Sequence, residues 1–146
     1  MKLSAYVLAM AVTAGTLLGC ATSPTGRSQL LLFGDEQLNA MGAQAFDGMK
    51  SETPVSKQPA QNQYVQCVAE TLLPYVPAGV YSGDWEVVVF NDDQVNAFAL
   101  PGGKIGVYTG LLKVATNQHQ LAAVVGHEIG HVIAQHGNER MSQTTL

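Results

Sequence analysis

The sequence predicts an α+β fold, mostly helical, in which a small antiparallel sheet precedes the last helix. Three observations predict it. Apolar residues recur at three- and four-residue spacings in three separate stretches, the pattern of helices that bury one face. Two shorter runs, one of them holding Val87-Val88-Val89, are bounded by turn residues and read as strands. A chain of 146 residues, 47% hydrophobic and 12% charged, suits one modest domain without a long solvating tail.

In chain order, the first segment stands outside that domain. Lys2 precedes an uncharged run from Leu3 to Leu18 that ends at Gly19-Cys20. A basic start ahead of an apolar run of this size reads as a secretory signal peptide over 1–19, with an ordinary N-terminal membrane anchor as the alternative. Leu17-Leu18-Gly19-Cys20 also resembles the lipobox of bacterial lipoproteins. That resemblance implies a lipidated Cys20 as the first residue of the mature chain, held firmly because each buried methylene adds about 0.8 kcal/mol. Ala21, where lipoprotein sorting would otherwise read an aspartate, favours the outer membrane facing the periplasm. Residues 20–34, with Ser23-Pro24-Thr25-Gly26, read as a lipidated tether. Cys67 is then left as a buried helical thiol or the partner of a cysteine outside this chain.

A helix is expected from Gly34 or Asp35 to about Lys50, burying Leu38, Met41, Ala45 and Met49. Pro54 breaks the chain before a second helix from about Pro59 to Val76, with Tyr64, Val65, Val68, Leu72 and Val76 on one side and Pro59 tolerated in its first turn. Trp85–Phe90 reads as a buried strand, 95–100 as a short extended or irregular segment, and Lys104–Tyr108 as a further strand after the Pro101-Gly102-Gly103 turn. Thr109-Gly110 leads into a short helical turn. The last helix begins at Asn117 or Gln118 and runs to about Gln135. Gly126 and Gly130 cost it about 1 kcal/mol each relative to alanine and leave room for another backbone to approach.

The chemistry lies in that last helix. His127 and His131 are four apart, so their imidazoles project from one face a turn apart, as two nitrogen ligands to one tetrahedral zinc require. Glu128 sits beside the first ligand, placed to take a proton from an attacking water and pass it to the departing amine. The alternative is a pair of satisfied core histidines with an exposed Glu128. Against it, Ala122–Val125 and Val132–Ala134 flank the motif with apolar residues, and ionisable groups there are costly unless a metal offsets them. His136 lies about 140° around an ideal helix from His131, is poorly placed to share the metal unless the helix ends first, and otherwise reads as a residue behind the site or on the surface. Glu139 would be about 12 Å along a continued helix and reads as a surface residue or one behind the site. Net charge is −4, with 7 basic residues scattered among 11 acidic ones, so no basic stripe marks a nucleic-acid partner.

The run Asn91-Asp92-Asp93-Gln94-Val95-Asn96-Ala97-Phe98-Ala99-Leu100-Pro101-Gly102-Gly103, then Lys104 to Leu112, then His127-Glu128-Ile129-Gly130-His131, resembles the M48 family of zinc metallopeptidases, above all its small outer-membrane lipoprotein members. The resemblance extends from about Phe33 to the end. It implies a zincin-like domain of which 35–146 is the N-terminal part, incomplete at the C-terminus. It implies one Zn²⁺ per chain on His127 and His131, a water polarised by Glu128, and a cleft edge formed by Asn96, Ala97, Phe98, Ala99, Leu100 and Pro101. The family's third ligand, a glutamate on a later helix, has no matching position here. The implied activity, for a longer parent protein of which these 146 residues are the N-terminal portion, is endoproteolysis of polypeptides, in particular misfolded or damaged cell-envelope proteins; the 146 residues alone are expected to be inactive. The alternatives are a non-proteolytic, chaperone-like zinc-binding lipoprotein or an inactive fragment.

Overall fold

The computed structural model describes residues 19–146, so the expected signal peptide lies outside the described residues except for Gly19. In order, the elements are β1 (Cys20–Thr22), β2 (Ser28–Leu30), α1 (Asp35–Glu52), α2 (Pro59–Leu72), a 3-10 turn (Leu73–Tyr75), β3 (Glu86–Phe90), β4 (Ala97–Leu100), β5 (Lys104–Tyr108), α3 (Thr109–Val114), α4 (Gln118–Ile133) and α5 (His136–Thr145). Among them no helix is long and apolar enough to cross a membrane.

The main sheet has the order β3-β5-β4. Its expected antiparallel character holds for β4 and β5, whereas β3 and β5 run parallel, making the sheet mixed. The reason is the long connection over residues 91–96, which carries the chain two strand positions across. The tight turn after Pro101 then folds β5 back into the gap. At that turn Gly102 and Gly103 have φ of 84° and 67°, a left-handed conformation that only glycine adopts without cost.

Alternation along the strands sorts side chains to two faces. Val89, Ala97, Ile105 and Val107 meet Val65, Val68 and Ala69 of α2 and Leu121, Val125 and Ile129 of α4 in the main core. On the opposite face Phe90 and Tyr108 pack with Phe46 of α1, and Phe98 meets all three rings, edge-on at Phe46 and tilted at the other two. The buried stripe of α1 is therefore Leu38, Gly42 and Phe46; of the expected Leu38, Met41, Ala45 and Met49 only Leu38 is buried, and Met41 is 40% exposed. The aromatic cluster turns the helix, and Gly42 lets it settle on Pro101, whose carbonyl oxygen would lie 2.0 Å from a Cβ at that position. Gly126 and Gly130 admit no close backbone: a Cβ would meet only a Leu72 methyl at 4.0 Å at the first and nothing at the second. Cys67 is exposed rather than buried, because it projects opposite the Val65–Val68–Ala69 stripe of α2.

The stretch expected as a tether is a hairpin docked on α5. Arg27 forms two hydrogen bonds with Glu139, at 2.5 and 2.7 Å. Asn138 accepts from Phe33 N and donates to Phe33 O, while Ser142 Oγ accepts from Leu32 N. These polar partners are spread over a segment without hydrophobic periodicity, so the sequence carries no pattern for the docking.

Candidate metal and catalytic site

Asn117 starts α4 as expected, its side chain accepting hydrogen bonds from His119 N and Gln120 N at 3.0 Å each. Leu121, Val125 and Ile129 fix the rotation of the helix by burying one stripe in the core. His127 lies two residues beyond Val125, about 200° around the axis, and is exposed, with Glu128 and His131 half-buried. The histidines thus occupy a face turned out of the core. Burial cost therefore does not call for a metal here, whereas the way the two imidazoles meet does.

They meet closely. His127 Nε2 and His131 Nε2 are 3.0 Å apart, and one ligand atom from each of His127, Glu128 and His131 can be chosen so that all lie within 4.8 Å of one another. Two nitrogens about 2.0 Å from one tetrahedral zinc would be about 3.3 Å apart, so the donor pair fits the ion. Beside them opens a cavity of about 390 Å³, walled by Phe98, Ala99, Leu100 and Pro101 of β4 and its turn, by Leu38 and Asn39 of α1, and by Glu128, His131, Val132 and Ile133 of α4.

Of the six residues expected at the cleft edge, Phe98, Ala99, Leu100 and Pro101 line this cavity. Ala97 points into the main core instead, and Asn96 is exposed, its side chain accepting from Ala97 N at 2.9 Å. β4 is an edge strand of the main sheet and packs along α4, so its outer backbone faces the same opening.

The helix carrying the histidines ends two residues sooner than expected. Its chain turns at Gln135, which adopts φ 55° and ψ 32°, and α5 begins at His136. A non-glycine residue in this conformation costs about 1–2 kcal/mol. The surroundings offset it: Gln29 of the hairpin donates to Ala134 O at 2.7 Å, satisfying a carbonyl left over at the helix end. The turn swings His136 back, placing its Nδ1 2.7 Å from His131 Nδ1. Glu139, by contrast, is buried, with its carboxylate taken up by Arg27 and Gln29. The Arg27 hydrogen bonds hold it at about 2, well below the ordinary carboxylate value, with burial opposing. It is an element of the hairpin clasp and not a surface residue.

Residues 59–146 match the model of peptidase family M48. The chain is 32% identical to the mitochondrial metalloendopeptidase OMA1 of Bos taurus, over 84% of this chain and 24% of the relative. It is 30% identical to the β-barrel assembly-enhancing protease of Escherichia coli K12, over 88% of this chain and 25% of the relative. A shorter stretch, 40% of this chain, is 49% identical to 12% of mitochondrial metalloendopeptidase OMA1 of Arabidopsis thaliana. The chain thus spans about a quarter or less of the length of these relatives.

Proposed function

The chain belongs to peptidase family M48, and from that premise we propose that it works as a zinc-dependent metalloendopeptidase in which His127 and His131 hold the metal and Glu128 is the general base. The observation that carries this reading is the 3.0 Å approach of the two Nε2 atoms with Glu128 alongside, at the mouth of a cavity walled by an edge strand. When bound, zinc supplies the Lewis acidity that makes water a nucleophile near neutral pH and polarises a peptide carbonyl.

The chain's own residues do the rest. The outer edge of β4 offers unpaired backbone groups to an extended polypeptide, which would add to the sheet as a strand and lay its scissile bond along α4. Phe98 and Leu100, with Leu38 and Val132, give the cavity apolar walls that take a substrate side chain and keep water away. Glu128, half-buried at the rim, accepts the proton of the attacking water and returns it to the departing amine.

The proposed setting is the bacterial envelope, with Cys20 lipidated and the domain facing the periplasm on the outer membrane. Leu17-Leu18-Gly19-Cys20 and the exposure of Cys20 support it. Because Cys20 opens a hairpin docked on α5, the anchor would hold the domain close to the lipid surface. Misfolded or damaged envelope proteins are the proposed substrates, in keeping with a relative named for enhancing β-barrel assembly.

Glu128→Gln tests the mechanism, since it keeps shape and metal but cannot accept a proton. Hydrolysis of an unfolded protein should fall by about 10²–10⁴-fold at unchanged zinc content. Full turnover by the variant would sink the assigned base. A wild-type protein that holds zinc yet cleaves nothing would favour the non-proteolytic, chaperone-like alternative.

A further inference from the structure

His136 stands outside the metal-binding pair, yet the turn at Gln135 brings its Nδ1 to 2.7 Å from Nδ1 of His131, on the ring nitrogen opposite the one that faces His127. A neutral imidazole carries one proton, on one nitrogen or the other, and the bond made by one nitrogen decides what the other can do. Nε2 of His131 can offer a lone pair to a metal shared with His127 only if the proton sits on Nδ1. A proton there needs an acceptor, a part that a carboxylate or backbone carbonyl commonly plays behind metal-binding histidines. Here the atom within reach is an imidazole nitrogen.

We propose that His136 is the positioning residue for His131: its Nδ1 accepts the Nδ1 proton of His131, fixing both the tautomer and the ring orientation that present Nε2 to the metal. This inference rests on the zinc reading of the site. The arrangement leaves the remaining proton of His136 on its own Nε2. His136 is held in place by more than its neighbours in sequence. It is the first residue of α5, and α5 is pinned to the hairpin by Arg27–Glu139 and by the two hydrogen bonds between Asn138 and Phe33. Gln29 reaches both Ala134 O at the end of α4 and Glu139 in the first turn of α5, tying together the two helices that carry the paired imidazoles.

Three variants of the full chain separate this role from a merely structural one. His136→Ala should weaken zinc binding about 10–100-fold, the usual effect of losing a partner behind a metal ligand. One zinc per chain should still bind at saturation, and thermal stability of the zinc-free protein should change little. His136→Asn puts a carbonyl oxygen near the position of Nδ1 and should recover most of the affinity. His136→Phe fills the same space without an acceptor and should not. Independently of any variant, nitrogen chemical shifts of His131 in the zinc-free wild type should report a proton on Nδ1. Equal zinc affinity in wild type and His136→Ala, or a proton on Nε2 of His131 in the zinc-free wild type, would overturn the inference and leave the zinc reading standing. A wild type that takes up no zinc would overturn both.

Discussion

Replacing Gly42 by alanine tests how the cleft wall is held in place, and Gly48 in the same helix supplies the control. A Cβ at Gly42 would lie 2.0 Å from Pro101 O, 2.9 Å from its carbonyl carbon and 3.3 Å from its nitrogen, whereas at Gly48 nothing lies within 4 Å. Both substitutions gain helix propensity, about 1 kcal/mol each in a helix interior. Only the first meets an obstacle. The gap must open by about 1 Å (3.0 − 2.0) before that contact reaches even the tightest seen for real Cβ atoms. The obstacle is backbone, and it cannot swing aside as a side-chain tip would. Overpacking of this kind costs about 1–3 kcal/mol. Gly48→Ala should therefore stabilise by up to about 1 kcal/mol. Gly42→Ala should range from neutral to about 2 kcal/mol destabilising, after its own propensity gain. Because propensity cancels in the comparison, the gap between the two variants should be about 1–3 kcal/mol. Denaturant unfolding of both variants measures it. A Gly42→Ala protein as stable as Gly48→Ala would refute the close packing of α1 on the Pro101 turn.

Asn117→Ala removes the acceptor for two backbone donors at the start of α4 and should cost about 1 kcal/mol, read as a lowered melting temperature, while Asn117→Asp should retain most of the stability. Acid should loosen the hairpin. Glu139 titrates at about 2 in the folded chain, below its ordinary 4.5, so its contribution is complete above the ordinary value and is lost as pH falls through about 2. Unfolding curves taken across that window should show wild-type stability declining more steeply than that of Glu139→Gln; parallel declines would show that the Arg27 pairing does not couple to folding.

Much of this fold was legible because the signals were local. Hydrophobic spacing located α1, α2 and α4, the Val87–Val89 run located β3, and Asn117 marked a helix start by its own chemistry. The pairing of His127 with His131 was legible for the same reason, since four-residue spacing on a helix sets two imidazoles side by side whatever else the chain does. What escaped the sequence depends on contacts distant in the chain. The parallel placement of β3 against β5 follows from where the 91–96 connection deposits β4. The rotation of α1 follows from an aromatic cluster assembled from four elements. The left-handed residue at the stop, Gln135, is neither glycine nor asparagine, because the hairpin supplies what holds it. That stop brings His136 back to His131, so the sequence showed the two neighbouring histidines but left His136 open between a place behind the site and the surface. Glu139 escaped for the same reason: its partner Arg27 is far away in sequence, and nothing near either residue signals the pair.

The proposed chemistry depends on zinc held by His127 and His131, and elemental analysis of the purified protein after dialysis against a weak chelator, with His131→Ala analysed in parallel, measures it. One zinc per wild-type chain and none in the variant is the expected result; a wild type holding no more zinc than His131→Ala would contradict it.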